Sequence, residues 1–238
     1  MRSNETLSGK IVAITGGFGS LGMATAQGLA QRGARVALIG RGAAPEASTL
    51  PASLENALCV GGVDLVDANA ALAAFREVQT TLGAIDALVN TAGAFRWETI
   101  AEGDASTWDL MFDLNVKTAL NAAKAAMPYL VASGAGRIVN IGAGAGQKAG
   151  LGMGAYAASK AGVARLTEAL AEELKDKRVT VNAILPSIID TPQNRTDMPD
   201  ADFSRWVPAA EIAALIAFLL SAEAQSITGA SIPVNGRV

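Results

Sequence analysis

The sequence contains no histidine, and that absence removes several kinds of chemistry. His-based catalytic triads, imidazole proton shuttles and His-ligated zinc are excluded outright. There is one cysteine, Cys59, so an internal disulfide and a thiolate metal cluster are excluded as well. A lone thiol fits a reducing compartment. Long apolar runs are missing too. The longest, Ile212–Leu220, falls well short of the roughly 20 residues needed to span a bilayer. No apolar signal core follows Met1–Thr6, because Ile11–Thr15 is short and runs into glycines. Nor is there an excess of basic charge. The 19 basic and 22 acidic side chains leave a net charge of −3, which argues against a nucleic-acid partner. Pro-rich linkers, charge blocks and internal repeats are absent, so residues 1–238 read as one domain. The expectation is a soluble, cytoplasmic protein that engages neither membrane nor nucleic acid.

What the sequence does have is a hydrophobic half, 50% of its residues, arranged as an alternation. Short apolar runs at Ile11–Thr15, Arg35–Ile39, Ala57–Val60, Ile85–Asn90, Arg137–Ile141, Val179–Leu185 and Ser231–Val234 read as strands. Amphipathic, alanine-rich segments at Ser20–Arg32, Ala68–Leu82, Thr107–Val131, Ala155–Lys177 and Ala209–Ser221 read as helices. Strands without polar alternation are buried on both faces. Strand–helix alternation with right-handed crossovers then gives an α/β fold, a doubly wound parallel sheet of the Rossmann type in three layers.

Two local patterns carry chemistry. Thr15-Gly16-Gly17-Phe18-Gly19-Ser20-Leu21-Gly22 joins the first strand to the first helix. Small residues there let the backbone turn tightly and approach a pyrophosphate, while the helix N-terminus offers N–H groups and a positive dipole end. Gly16, Phe18, Ser20, Leu21 and Gly22 are therefore candidate cofactor contacts, with Ser20 expected to cap the helix. The second pattern is Tyr156-Ala157-Ala158-Ser159-Lys160, at the start of a helix. Residues four apart share a helix face, so phenol and ammonium point into one site. A nearby cation is expected to lower the phenol pKa and make Tyr156 an acid/base.

These motifs resemble the short-chain dehydrogenase/reductase superfamily, and the likeness extends over nearly the whole chain. Its turn has the form T-G-x-x-x-G-x-G. Thr15, Gly16 and Gly22 match, Ser20 replaces the middle glycine, and Gly19 stands one place early. The resemblance implies a nicotinamide dinucleotide held also by Asp64 and Leu65, and by Asn90, Ala92 and Gly93 of Asn90-Thr91-Ala92-Gly93. Ile189 and Thr191 are expected at the carboxamide. Lys160 would hold the ribose and tune Tyr156, and Asn115 would bend its helix and hold a water linked to Lys160. Gly40 stands where an NAD-type acid would be, and Arg41 follows, which favours NADP with NAD possible. The family's carbonyl-polarising serine is Ala143 here, and no serine or threonine lies between Asn140 and Tyr156. Assembly as a homodimer or homotetramer through Thr107–Val131 and Ala155–Lys177 is also implied.

The segment Thr191-Pro192-Gln193-Asn194-Arg195, followed by Met198 to Trp206, further resembles the dihydropteridine reductase branch. That branch lacks the serine and reduces a quinonoid ring, already electron-poor. It has an acid where this chain has Gly40, and Asn115 is closer to the general superfamily. Residues 187–207 are expected to form a lid, and Phe95, Trp97 and Trp206 to line a flat pocket. The implied activity is hydride transfer between nicotinamide and a carbonyl or quinonoid substrate. A dinucleotide-binding sensor or scaffold that has lost catalysis is the reading from another class.

Overall fold

Residues such as Ile11-Val12-Ala13-Ile14-Thr15 offer no polar face, and in the computed structural model this run is a strand with every residue buried. The structure describes residues 6–238; Met1–Glu5, part of the segment read for a signal core, lies outside them. The strands are β1 (Ile11–Thr15), β2 (Arg35–Ile39), β3 (Leu58–Val60), β4 (Ala87–Asn90), β5 (Arg137–Ile141), β6 (Thr180–Pro186), β7 (Ile189–Asp190), β8 (Val207–Pro208) and β9 (Ser231–Val234). The helices are α1 (Ser20–Ala30), α2 (Ala68–Leu82), α3 (Ala105–Phe112), α4 (Thr118–Ala132), α5 (Gly154–Leu174), α6 (Pro192–Asp197) and α7 (Ala209–Leu220).

Seven strands form one parallel sheet in the order β3-β2-β1-β4-β5-β6-β9. Strand order reverses between β1 and β4, and in such sheets ligands bind at the carboxyl ends beside that reversal. On one face α1 and α7 bring Leu29, Ile212 and Ile216 against Val12, Ile14 and Val89. On the other, α2, α4 and α5 bring Phe75, Leu130 and Leu170 against Ala13, Leu88 and Ile138. Burying each of the larger of these side chains contributes about 1.5–3 kcal/mol, and the two layers hold the sheet beneath its loops. No described helix is long and apolar enough to cross a membrane.

A polar row crosses this apolar sheet at one level. The Thr15 hydroxyl donates to Asn90 Oδ1 at 3.1 Å, and Asn90 Nδ2 donates to Asn140 Oδ1 at 2.9 Å. Asn140 Nδ2 donates to Thr167 Oγ1 at 2.9 Å, and the Thr167 hydroxyl donates to the Val163 carbonyl at 2.8 Å. All four side chains are buried. Buried polar groups left unpaired cost about 1–3 kcal/mol each, so this row fixes the register of β1, β4, β5 and α5 together.

The structure departs from the sequence reading in instructive places. The segment expected as one helix over Thr107–Val131 begins at Ala105, capped by Asp104 accepting from the Ser106 N–H. It widens into a π-helical turn over Asp113–Lys117 before α4. The segment following Pro186 contains β7, α6 and β8, none of which was expected, because two-residue strands carry no periodic signal.

Candidate active site

The turn after β1 lies directly against the turn after β4. Gly16 has φ +64, and a Cβ there would sit 2.7 Å from the Ala92 backbone nitrogen. A Cβ on Gly22 would sit 2.3 Å from the Gly16 carbonyl oxygen. Both positions therefore need glycine, one for its backbone angle and one for close packing. Gly19 is the N-cap of α1 and supplies no side-chain acceptor. The first-turn N–H groups of α1 thus lack a side-chain cap, as an anion-binding helix end requires. Ser20 is not the cap that the sequence suggested. Gly19 takes the extended cap conformation, and Ser20 follows as the first helical residue, exposed and off the cleft wall.

A cleft of about 420 Å³ opens over this corner, lined among others by Gly16, Phe18, Arg41, Asp64, Leu65 and Ala92. A second of about 220 Å³ continues it, sharing Thr91, Gly93 and Ala94, and is lined by Leu21, Ala143, Tyr156, Lys160 and Ile189. Most residues singled out from the sequence are thereby brought to one continuous groove. Besides Ser20, four are not on its wall. Gly22 is buried beneath the turn. Asn90 is 3% exposed, its amide engaged in the polar row. Thr191 caps α6, its hydroxyl accepting from the Asn194 N–H at 3.1 Å. Asn115 is buried behind Gly93, where an added Cβ would lie 2.6 Å from Asn115 Oδ1 and 3.3 Å from Lys160 Nζ.

Lys160 is buried, and its ammonium donates to the Ile141 carbonyl at 2.9 Å. Burial pushes its pKa down to about 8. Its nitrogen lies 5.8 Å from the centroid of the Tyr156 ring. Tyr156 meets Phe95 edge-on, with centroids 4.9 Å apart. Burial pushes the phenol up to about 12, not down as the Tyr–Lys spacing suggested. The physical reason is that both groups are desolvated, which penalises each charged form, while the ammonium is directed at Ile141.

Asn115 sits in the π turn with its amide fully engaged. Oδ1 accepts from the Ala94 N–H at 3.0 Å, and Nδ2 donates to the Ala94 carbonyl and to Ser159 Oγ, both at 3.0 Å. The Ser159 hydroxyl in turn donates to the Tyr156 carbonyl at 2.7 Å. The Asn115 side chain is thus a strut between the β4 turn and α5. Ser159 and Ala94 were missed in the sequence. Ser159 lay in plain view within Tyr156–Lys160, but nothing in its spacing marked it.

The aromatic trio does not assemble. Phe95 lines the second cleft and is 55% exposed, while Trp206 is 5% exposed and packs on Phe203 with centroids 4.7 Å apart. Trp97 lies against Gly152, outside both clefts. The motif from Asp190 to Arg195 is used to fold its own segment. Arg195 pairs bidentately with Asp190 at 2.6 and 2.8 Å, and Asn194 Nδ2 donates to the Ile189 carbonyl at 2.7 Å. Ser187 also lines the second cleft, its hydroxyl donating to the Asn235 carbonyl at 2.8 Å.

Fold and groove together define a doubly wound α/β protein whose groove lies at the switch point of the sheet. Comparison with known proteins gives the family. The model of the short chain dehydrogenase family matches residues 10–202. The chain is 32% identical over 242 residues to the acetoacetyl-CoA reductase of Allochromatium vinosum, covering 95% of this chain and 97% of that protein. It is 34% identical over 244 residues to the 3-oxoacyl-(acyl-carrier-protein) reductase FabG of Pseudomonas aeruginosa, covering 97% and 98%. Among solved structures, carveol dehydrogenase from Mycobacterium avium in complex with NAD superposes with a TM-score of 0.84 at 28% identity, covering 98% of each chain. The chain belongs to the short-chain dehydrogenase family and is an oxidoreductase of that family.

Proposed function

We propose that the protein is an NAD(P)-dependent oxidoreductase that favours NADP and transfers hydride between nicotinamide and a carbonyl or quinonoid substrate. The observation that carries this is the continuous groove running from the uncapped α1 N-terminus to Tyr156 and Lys160. The first-turn N–H groups of α1 would hold the pyrophosphate, Asp64 and Leu65 the adenine end, and Lys160 the nicotinamide ribose. The bound dinucleotide would supply or accept the hydride. Tyr156 would give or take the proton, its hydroxyl protonated at neutral pH because burial holds it near 12. Asn115 would position α5 through Ser159. Residues 187–207 would act as the lid, and assembly would be as a homodimer or homotetramer.

Arg41 is exposed at the rim of the first cleft, and no acid stands at Gly40. Arg41→Ala is expected to raise the Kd for NADPH by about tenfold while leaving that for NADH nearly unchanged, since a lost charge-assisted pair costs about 1.4 kcal/mol or more. Nucleotide-fluorescence titration measures both. An unchanged NADPH Kd removes the argument for NADP.

The substrate is the finer question. The reductases of Allochromatium and Pseudomonas carry names that specify acyl thioesters, and such substrates are the first reading. A specific observation favours a second, the dihydropteridine reductase type. Ala143 is 7% exposed and lines the second cleft, where it presents a methyl group at the position of the missing hydroxyl. An electron-poor quinonoid ring tolerates that better than a ketone. Ala143→Ser should then raise kcat/KM for simple ketones by about 10²-fold, the scale of one oxyanion-type donor. Nucleotide oxidation across pterins, quinones, ketones and acyl thioesters, with NADPH and NADH, tests the whole reading. Tight binding with no turnover on any of them would leave the sensor or scaffold.

A further inference from the structure

We propose that Phe18 and Gly40 form a matched pair that sets nucleotide preference, the Phe18 ring standing where an acidic side chain at the end of β2 would have to stand. The proposal rests on the dinucleotide reading above and adds to it a residue that determines specificity. A Cβ on Gly40 would lie 2.2 Å from Phe18 Cδ2, 2.6 Å from Cε2 and 2.8 Å from Cγ. Contact with Cγ matters most. Cγ lies on the axis of ring rotation, so spinning the ring about its own bond does not clear it. The whole side chain has to leave its rotamer.

The backbone is held at both partners. Gly40 is buried, and its backbone is held on both sides, its N–H donating to the Val60 carbonyl and its carbonyl accepting from the Val63 N–H, each at 3.0 Å. Phe18 is carried on the phosphate turn, whose Gly17 N–H donates to the Ile39 carbonyl at 3.0 Å. That turn rests on the end of β2 so closely that a Cβ on Gly17 would meet Leu38 Cα at 2.9 Å. The ring and Gly40 both line the first cleft, beside Arg41.

The chemistry follows from what the ring is. A carboxylate at this position accepts from both hydroxyls of a ribose diol and repels a 2′-phosphate. A phenyl ring does neither. It fills the acid's volume without its charge and leaves the next side chain after β2, the Arg41 guanidinium, at the cleft rim. Preference is thereby set by two positions far apart in sequence, and changing one alone should not reverse it.

The test is a double-mutant cycle read by binding and by the nucleotide-free protein. NADPH and NADH are titrated into wild type, Gly40→Asp, Phe18→Ala and Phe18→Ala/Gly40→Asp. Gly40→Asp alone is expected to weaken both nucleotides by about tenfold, whereas the double variant binds NADH about tenfold tighter than NADPH. In the nucleotide-free protein, Gly40→Ala should lower the melting temperature, and adding Phe18→Ala should recover it. Independent effects, with Gly40→Asp alone giving the full NADH preference, would overturn the proposal and leave the dinucleotide reading intact. An unchanged melting temperature in Gly40→Ala would overturn it as well. If wild type binds neither nucleotide, the dinucleotide reading fails and this proposal falls with it.

Discussion

Tyr156→Phe is expected to lower kcat by about 10³-fold while leaving nucleotide Kd and the fold unchanged, the loss being that of a single proton-transfer group. The substitution removes only the hydroxyl. The ring that meets Phe95 edge-on at 4.9 Å remains. Burial is what raises the phenol to about 12, and among the described residues no hydrogen bond to a neighbour contributes. Deleting the oxygen therefore orphans no partner, and the melting temperature should hold or rise slightly. Steady-state turnover, nucleotide titration and thermal unfolding on one preparation separate the three quantities. A kcat within tenfold of wild type would remove Tyr156 from the chemistry.

The two buried groups also dictate the form of the pH profile. With the phenol near 12, the acid is loaded throughout the neutral range. With the ammonium near 8, Lys160 is the member of the pair that titrates there. Reduction leaves charge on the phenol oxygen, and a cation beside the ring stabilises it. Turnover in the reductive direction should then be flat below about 8 and fall above it, as Lys160 loses its proton.

The legible part of this molecule is the part written in strong local patterns. Ile11–Thr15 is a strand because five unbroken apolar or sheet-favouring residues have no face to offer water, and both it and Arg137–Ile141 matched in full. The glycine turn after β1 was legible because tight turning restricts residue choice, and Tyr156 with Lys160 because helical spacing puts them together. What could not be read depends on contacts distant in sequence. Trp206 was expected at the pocket, and only the folded chain shows that it is buried instead. Nothing near Gly40 announces that Phe18 lies on it. The direction of the phenol shift was misread because proximity in sequence says which charges are near, not how much water they have lost. Asp190 and Arg195 illustrate the converse. A segment read for its likeness to one branch proves to hold its own loop by a bidentate pair, which any substrate could share.

Lys160→Met should produce the second large effect, and its signature is opposite in sign for activity and for stability. Turnover should fall by about 10³-fold, because the phenolate loses its cation and the nicotinamide ribose its proposed anchor. Stability should respond through linkage. The folded pKa is about 8, against 10.5 for the free side chain. Between those values the unfolded chain holds a proton that the folded one does not, so wild-type stability rises as pH rises. Below 8 the folded protein carries a buried charge at a cost of about 3 kcal/mol. Methionine removes that cost but leaves the Ile141 carbonyl without its donor, which costs about 1–3 kcal/mol in return. At pH 7 the variant should match or exceed wild type in stability. By pH 10 wild type should have gained about 2–3 kcal/mol on it and be the more stable. Tyr156 titrates higher and is present in both proteins, so it drops out of the difference. Urea unfolding of the pair from pH 7 to 10 measures the gap. A gap independent of pH would mean that the ammonium is not desolvated in the folded protein, and the account of how this site tunes its proton chemistry would fail at its base.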